Sequence, residues 1–190
     1  MNKYITIAGS LALMFAVNAN AALVVDTGTP DNSGAPVLLN NAQYFAGQVT
    51  FNQALTLNSI ETYLASDGSN PGASFTVALY SDNANQVGDL ISSITATYKA
   101  DGWNGASALN WNVDAGTYWI GFEEYDFENF KATVSAPSSL TNTAFADAGR
   151  YSNYPMAFGL RVDAVPETDT YAILLAGLGV IGLVARRRNA

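Results

Sequence analysis

Between Ala22 and Ala164 the chain is a series of short β-branched and aromatic runs, each cut by Gly, Asn, Asp, Ser or Pro clusters. Within the runs, apolar residues recur at every second place, the period of a strand that lays one face on a core. Period-two runs with frequent turn residues between them specify an all-β sandwich or barrel. The 143 residues of this segment are enough to bury a core without disulfides.

The runs place the strands. Leu23–Val25 and Val37–Leu39 are short edges. Tyr44 to Phe51 alternates, with Phe45, Gly47, Val49 and Phe51 on one face. In Leu55 to Leu64 the phase changes between Leu57 and Ile60, which predicts a bulge near Asn58-Ser59. Asp67-Gly68-Ser69-Asn70-Pro71-Gly72 is a strong turn before the strand Phe75 to Tyr80. Leu90 to Tyr98 follows, and Trp103-Asn104-Gly105 reads as a connection. Ala108 to Val113 and Thr117 to Glu123 alternate across an Ala115-Gly116 turn and are expected to form a hairpin. Ser138 to Arg150 has no clear period and reads as loop with a helical turn. Met156 to Val162 closes the domain, with Phe158, Leu160 and Val162 inward. Eight to ten strands in an antiparallel, jelly-roll-like β-sandwich fit this pattern best.

Composition narrows the chemistry. The chain has neither cysteine nor histidine. That excludes disulfides, thiolate nucleophiles, His-ligated zinc and triads built on histidine. From Ala22 to Ala164 there are fourteen acids against four bases, a net of −10. Such a surface repels phosphate backbones, so nucleic acid is not an expected partner.

The two ends carry addresses. Lys3, an apolar stretch from Ile5 to Val17, and Ala19-Asn20-Ala21 form a secretory signal, with cleavage by signal peptidase between Ala21 and Ala22. An uncleaved N-terminal anchor is the alternative. No cysteine follows the site, so a lipoprotein is excluded. At the other end, Val165, Pro166, Glu167 and Thr168 precede sixteen uncharged residues, Thr170 to Ala185, and then Arg186, Arg187 and Arg188. As a helix the span is about 24 Å long, short for a bilayer core but usable with snorkelling arginines. The arginines stop it on the cytoplasmic side, which leaves the domain outside. A buried core helix is the alternative, and an ordinary linker is the alternative for Pro166-Glu167.

This tail resembles the PEP-CTERM sorting signal of Gram-negative bacteria, with Thr168 standing where that pattern usually has a second proline. The resemblance implies processing by an exosortase, a transient stay in the inner membrane, and an exopolysaccharide or biofilm setting at the cell surface or beyond. Ala115 to Phe122, with the Phe75–Tyr80 strand and a Trp between, also looks like the sandwich domains that exported PEP-CTERM proteins carry. Three segments follow: signal peptide 1–21, β-sandwich domain 22–164, and sorting signal 165–190.

No residue pattern assigns catalysis. Glu123, Glu124, Asp126 and Glu128 cluster, but a glycosidase sets two carboxyls across a cleft, and this run reads as a solvated loop. The oxygen-rich turns at Asp26–Asn32, Asp67–Asn70 and Asp82–Asp89 lack EF-hand spacing. A structural calcium is the one cofactor they leave open. Aromatic platforms for sugar are the remaining candidates: Trp103 in a Gly/Asn-rich loop, Trp119 opposite the Tyr118–Ile120–Phe122 face, and Tyr125 in the acidic loop. Trp111 reads as core. The expected function is a non-catalytic surface or matrix protein. A carbohydrate-binding module is the first alternative, and a carboxylate-based glycan-active enzyme the second.

Overall fold

The computed structural model describes residues 21–31, 36–132 and 140–166. The expected signal segment with Ala19, and the tail from Glu167 through Thr168 to Arg186, Arg187 and Arg188, lie outside these residues. Among the described residues there is no helix. Twelve strands are present: β1 (Ala22–Asp26), β2 (Val37–Leu39), β3 (Gln43–Phe51), β4 (Leu55–Ser66), β5 (Ser74–Asp82), β6 (Val87–Thr97), β7 (Gly102–Val113), β8 (Gly116–Glu123), β9 (Phe130–Ala132), β10 (Thr143–Asp147), β11 (Arg150–Asn153) and β12 (Leu160–Pro166).

They form two antiparallel sheets. The first runs β1-β12-β4-β7. Leu64 of β4 pairs with Gly102 on β7 and with Ala132 on β9, so β9 takes the lane beside β4 that β12 occupies further along. The short β2 lies outside β9. The second sheet runs β11-β10-β3-β8-β5-β6.

Inward residues of both sheets make one core. Leu55, Leu57, Ile60 and Leu64 of β4 and Leu160, Val162 and Ala164 of β12 meet Phe45, Val49 and Phe51 of β3, Phe75, Val77 and Leu79 of β5, and Ile120 and Phe122 of β8. Phe158 bridges the layers, its ring 4.7 Å from Phe45 and 6.2 Å from Phe122. Edge-on contacts of this kind add to the area term of the hydrophobic effect.

The bulge predicted near Asn58-Ser59 is present. Leu57 pairs with Trp111 and Ser59 with Ser107, so three residues of β7 oppose Asn58 alone. Ala108 and Asn110 of that excess take left-handed φ values of 56° and 54°. The shift puts Leu57 and Ile60 on the same face although they are three apart.

Four expectations change. The strands of Trp111 and Tyr118 are not a hairpin: β7 pairs with β4 in the first sheet and β8 with β3 and β5 in the second. Their short connection crosses between layers at the edge of the core. Trp103-Asn104-Gly105 is not a connection but the start of β7, facing Tyr63, Thr62 and Glu61. Gly105 is required by packing, since a Cβ there would lie 2.0 Å from the Ile60 carbonyl oxygen. Within 138–150, Thr143–Asp147 is a strand, closed into a hairpin with β11 by Ala148 and Gly149 at φ 52° and 84°, the backbone of a two-residue primed turn. Finally, Val165 and Pro166 continue β12, paired with Thr56 and Leu55.

Candidate functional site

Part of the outer face of the second sheet lacks the polar residues that a solvated face carries. Across β10, β3, β8 and β5 one row reads Ala144, Ala46, Gly121, Ala78, all buried. The next row towards the end of β8 sets Tyr44 opposite Ala146 and Glu123 opposite Thr76. On the other side of the small row, Trp119 is opposite Gln48 and Tyr80. A row without side chains leaves a trough between larger neighbours. Tyr80 and Tyr151 lie over it: a Cβ on Gly121 would meet the Tyr151 hydroxyl at 2.8 Å and the Tyr80 ring at 3.1 Å. The β10–β11 turn brings Tyr151 back over the sheet.

Four tyrosines converge here on Glu123. Tyr151 donates to Glu123 Oε1 at 2.7 Å, and Tyr80 donates to the same oxygen. Tyr125 donates to Oε2. The rings form a chain, Tyr80–Tyr151–Tyr44–Tyr125, with centroid separations of 5.8, 6.1 and 5.7 Å. Glu123 is only 3% exposed. Three charge-assisted donors supply the solvation it loses. Burial, the bond to Glu123 and its charge hold the phenols of Tyr80 and Tyr125 well above their ordinary value. Tyr151 is raised by burial, by the Glu123 charge and by the bond. Each hydroxyl therefore keeps its proton. Among the described residues, no lysine or arginine nitrogen lies within 4 Å of Glu123.

This cluster lines an open pocket of about 470 Å³, with Tyr44, Tyr80, Glu123, Tyr125 and Tyr151 in its wall and the exposed Arg150 at the rim. Among the described residues, Glu123 is its only lining carboxylate.

The acidic run is not a solvated loop at its start. Glu124 is 1% exposed. One oxygen accepts the Asp126 amide, and Oε2 has no partner. Burial outweighs the amide bonds from Asp126 and Glu128, and the Asp126 and Glu128 charges add to it, so the Glu124 pKa is raised. Further along, Asp126 accepts from Ser74 at 3.0 Å and Glu128 from Ser69 at 2.6 Å.

No family model and no curated protein matches this chain.

The predicted site residues fall in different places. Trp119 is fully buried, its indole N–H donating to Asp82 Oδ1 at 2.8 Å, so neither ring face is open to a ligand. Trp103 is partly exposed on the first sheet, but the Arg161 guanidinium covers its ring at 3.9 Å and Tyr63 meets it edge-on at 5.6 Å. Tyr125 is 57% exposed and joins the Glu123 cluster. Trp111 is half-buried against the core. Ala21 and Ala22 are exposed. In the oxygen-rich turns three carboxylates are engaged by the protein: Asp26 by Gly28 and Arg161, Asp67 by Lys131, and Asp82 by Trp119, Gln48 and Asn85. No three acidic side chains among the described residues are placed to hold a metal ion.

Sequence reasoning missed Tyr44 and Tyr80 and put Glu123 in solvent. The signal was the set of outward positions of β3, β5 and β8. Tyr44, Ala46, Ala78, Tyr80, Trp119 and Gly121 are not what a wet face carries.

Proposed function

We propose that this chain is an exported, non-catalytic protein of the Gram-negative cell surface or extracellular matrix, and that its domain holds exopolysaccharide at the Glu123 pocket. One observation carries the binding reading: a carboxylate ringed by tyrosines in an open pocket on a sheet face. Aromatic rings pack on the apolar faces of sugars, and phenol and carboxylate oxygens accept sugar hydroxyls. The strand orders β1-β12-β4-β7 and β3-β8-β5-β6 support reading the sandwich as a jelly roll, with β2, β9, β10 and β11 as additions.

Hydrolysis is the less favoured reading. It asks for two carboxyls about 5 to 9.5 Å apart across a cleft. Among the described residues Glu123 is the only one in the pocket wall, and its oxygens already accept three phenol protons.

Delivery rests on the sequence. The signal to Ala21 and the Val165–Arg188 tail support export through the inner membrane, cleavage by signal peptidase, and transfer by an exosortase after a transient membrane stay. No cofactor and no nucleic acid belong to this reading. Two measurements test it. Intact mass of the protein recovered from the cell surface is expected to lack residues 1–21 and Arg186 to Arg188; retention of the arginines defeats the processing claim. On a glycan array the protein is expected to bind; uniform failure defeats the binding claim, and glycan cleavage defeats the non-catalytic one.

A further inference from the structure

We propose that the Glu123 pocket recognises a protonated primary amine, and that its glycan is an amino sugar with the amine free. This rests on the glycan reading above and specifies its ligand.

The hydrogens of the cluster decide the matter. A phenol has one proton to give. Tyr80, Tyr125 and Tyr151 all give theirs to Glu123. To a ligand they turn oxygen lone pairs and negatively polarised ring faces. Glu123 adds a full charge without a lysine or arginine beside it. Around Glu123 the wall is therefore rich in acceptors and its charge is not ion-paired; the Tyr44 hydroxyl and Arg150 at the rim are the donors left in the described lining.

A sugar hydroxyl brings one donor and no charge. An ammonium brings three donors and the missing charge, and its attraction to the carboxylate and the rings is stronger in a partly dry pocket. An acetamido group in its place loses the charge and presents a carbonyl oxygen to lone pairs. The acidic surface, with a chain net of −8, draws such a ligand in from solution.

The test is isothermal titration of the intact exported protein with oligomers of β-1,4-linked glucosamine, and with the same oligomers N-acetylated. The amine form is expected to bind about tenfold tighter or more. Glu123→Gln is expected to abolish that preference. Tyr125→Phe, at a 57% exposed position, is expected to weaken the amine form several-fold, with urea unfolding used to establish that the variant is folded. Asp114→Asn removes the same charge at the opposite end of β8 and is expected to change little. Equal binding of the two oligomers overturns the amine proposal and leaves the glycan reading standing. An equal loss in Asp114→Asn and Glu123→Gln also overturns it, since the attraction is then general. Failure of both oligomers to bind overturns the amine proposal; the glycan array decides whether the broader reading falls with it.

Discussion

At the end of β8, Glu123 accepts three phenol protons, whereas Glu124 accepts the Asp126 amide on one oxygen and nothing on the other. The second arrangement leaves a buried charge half-solvated, which is why its pKa rises. A carboxyl with a raised folded pKa binds its proton more tightly in the fold. Stability therefore falls as pH climbs past the unfolded value, about 4.3, and the full cost remains above the folded pKa. Glu124→Gln keeps the acceptor for the Asp126 amide and removes the charge. It is expected to raise stability at neutral pH, with the gain vanishing below about pH 4. Urea unfolding at both pH values checks this, and a less stable variant at neutral pH refutes it. Asp82 has the opposite sign. Its partial burial is outweighed by bonds from Asn85, Trp119 and Gln48, so its pKa is lowered and its contribution is lost as pH falls. None of this was legible in the sequence. The Glu123 donors Tyr80 and Tyr151 lie 43 and 28 positions away, and no local spacing links them.

At the scale of elements, the sequence was informative wherever one face is wet and the other dry. β4 shows this best: Leu57 and Ile60, on either side of the predicted phase change, are both buried, as are Leu55 and Leu64, with the bulge where the phase breaks. It was uninformative where both faces are covered. In β10, Thr143 and Ala144 point to opposite faces and are both buried, and small side chains give no hydrophobic signal. Partners were not legible either, because period two fixes which side chains face inward and says nothing about which sheet a strand joins. The hairpin expected between β7 and β8 failed for this reason. Strand position also sets the cost of a lesion. Leu160 starts β12 between layers and is fully buried; Leu23 on the edge strand β1 is 49% exposed. Leu160→Ala is expected to cost ~2–5 kcal/mol and Leu23→Ala within about 0.5 kcal/mol of zero, measured by chemical denaturation. Equal costs would show that β12 is not the core strand described.

For the whole molecule, the register of β1 on β12 fixes where the chain comes and goes. Ala22 lies opposite Ala164, so the expected signal cleavage site and the first residues of the sorting motif are side by side. Pro166 pairs with Leu55 and Leu55 with Val113, at the Gly116 end of β8. Glu123 closes the other end of β8, seven residues or about 23 Å away. A domain held at Pro166 thus carries its pocket on the far side from its attachment. Tension between a captured polymer and that attachment runs along the strands. Antiparallel hydrogen bonds lie across such a force, so the pairs that β12 makes with β4 and β1 resist it together, in shear. Pulling Ala22 away from Pro166 opens the β1–β12 pairs one after another, as a zip. Single-molecule stretching between Tyr125 and Pro166 is therefore expected to need a higher rupture force than stretching between Ala22 and Pro166, and the reverse order would refute this geometry. The fold that places Ala22 beside Ala164 therefore loads the β12 pairs in shear when the pull runs from the pocket to Pro166, the direction the proposed attachment sets.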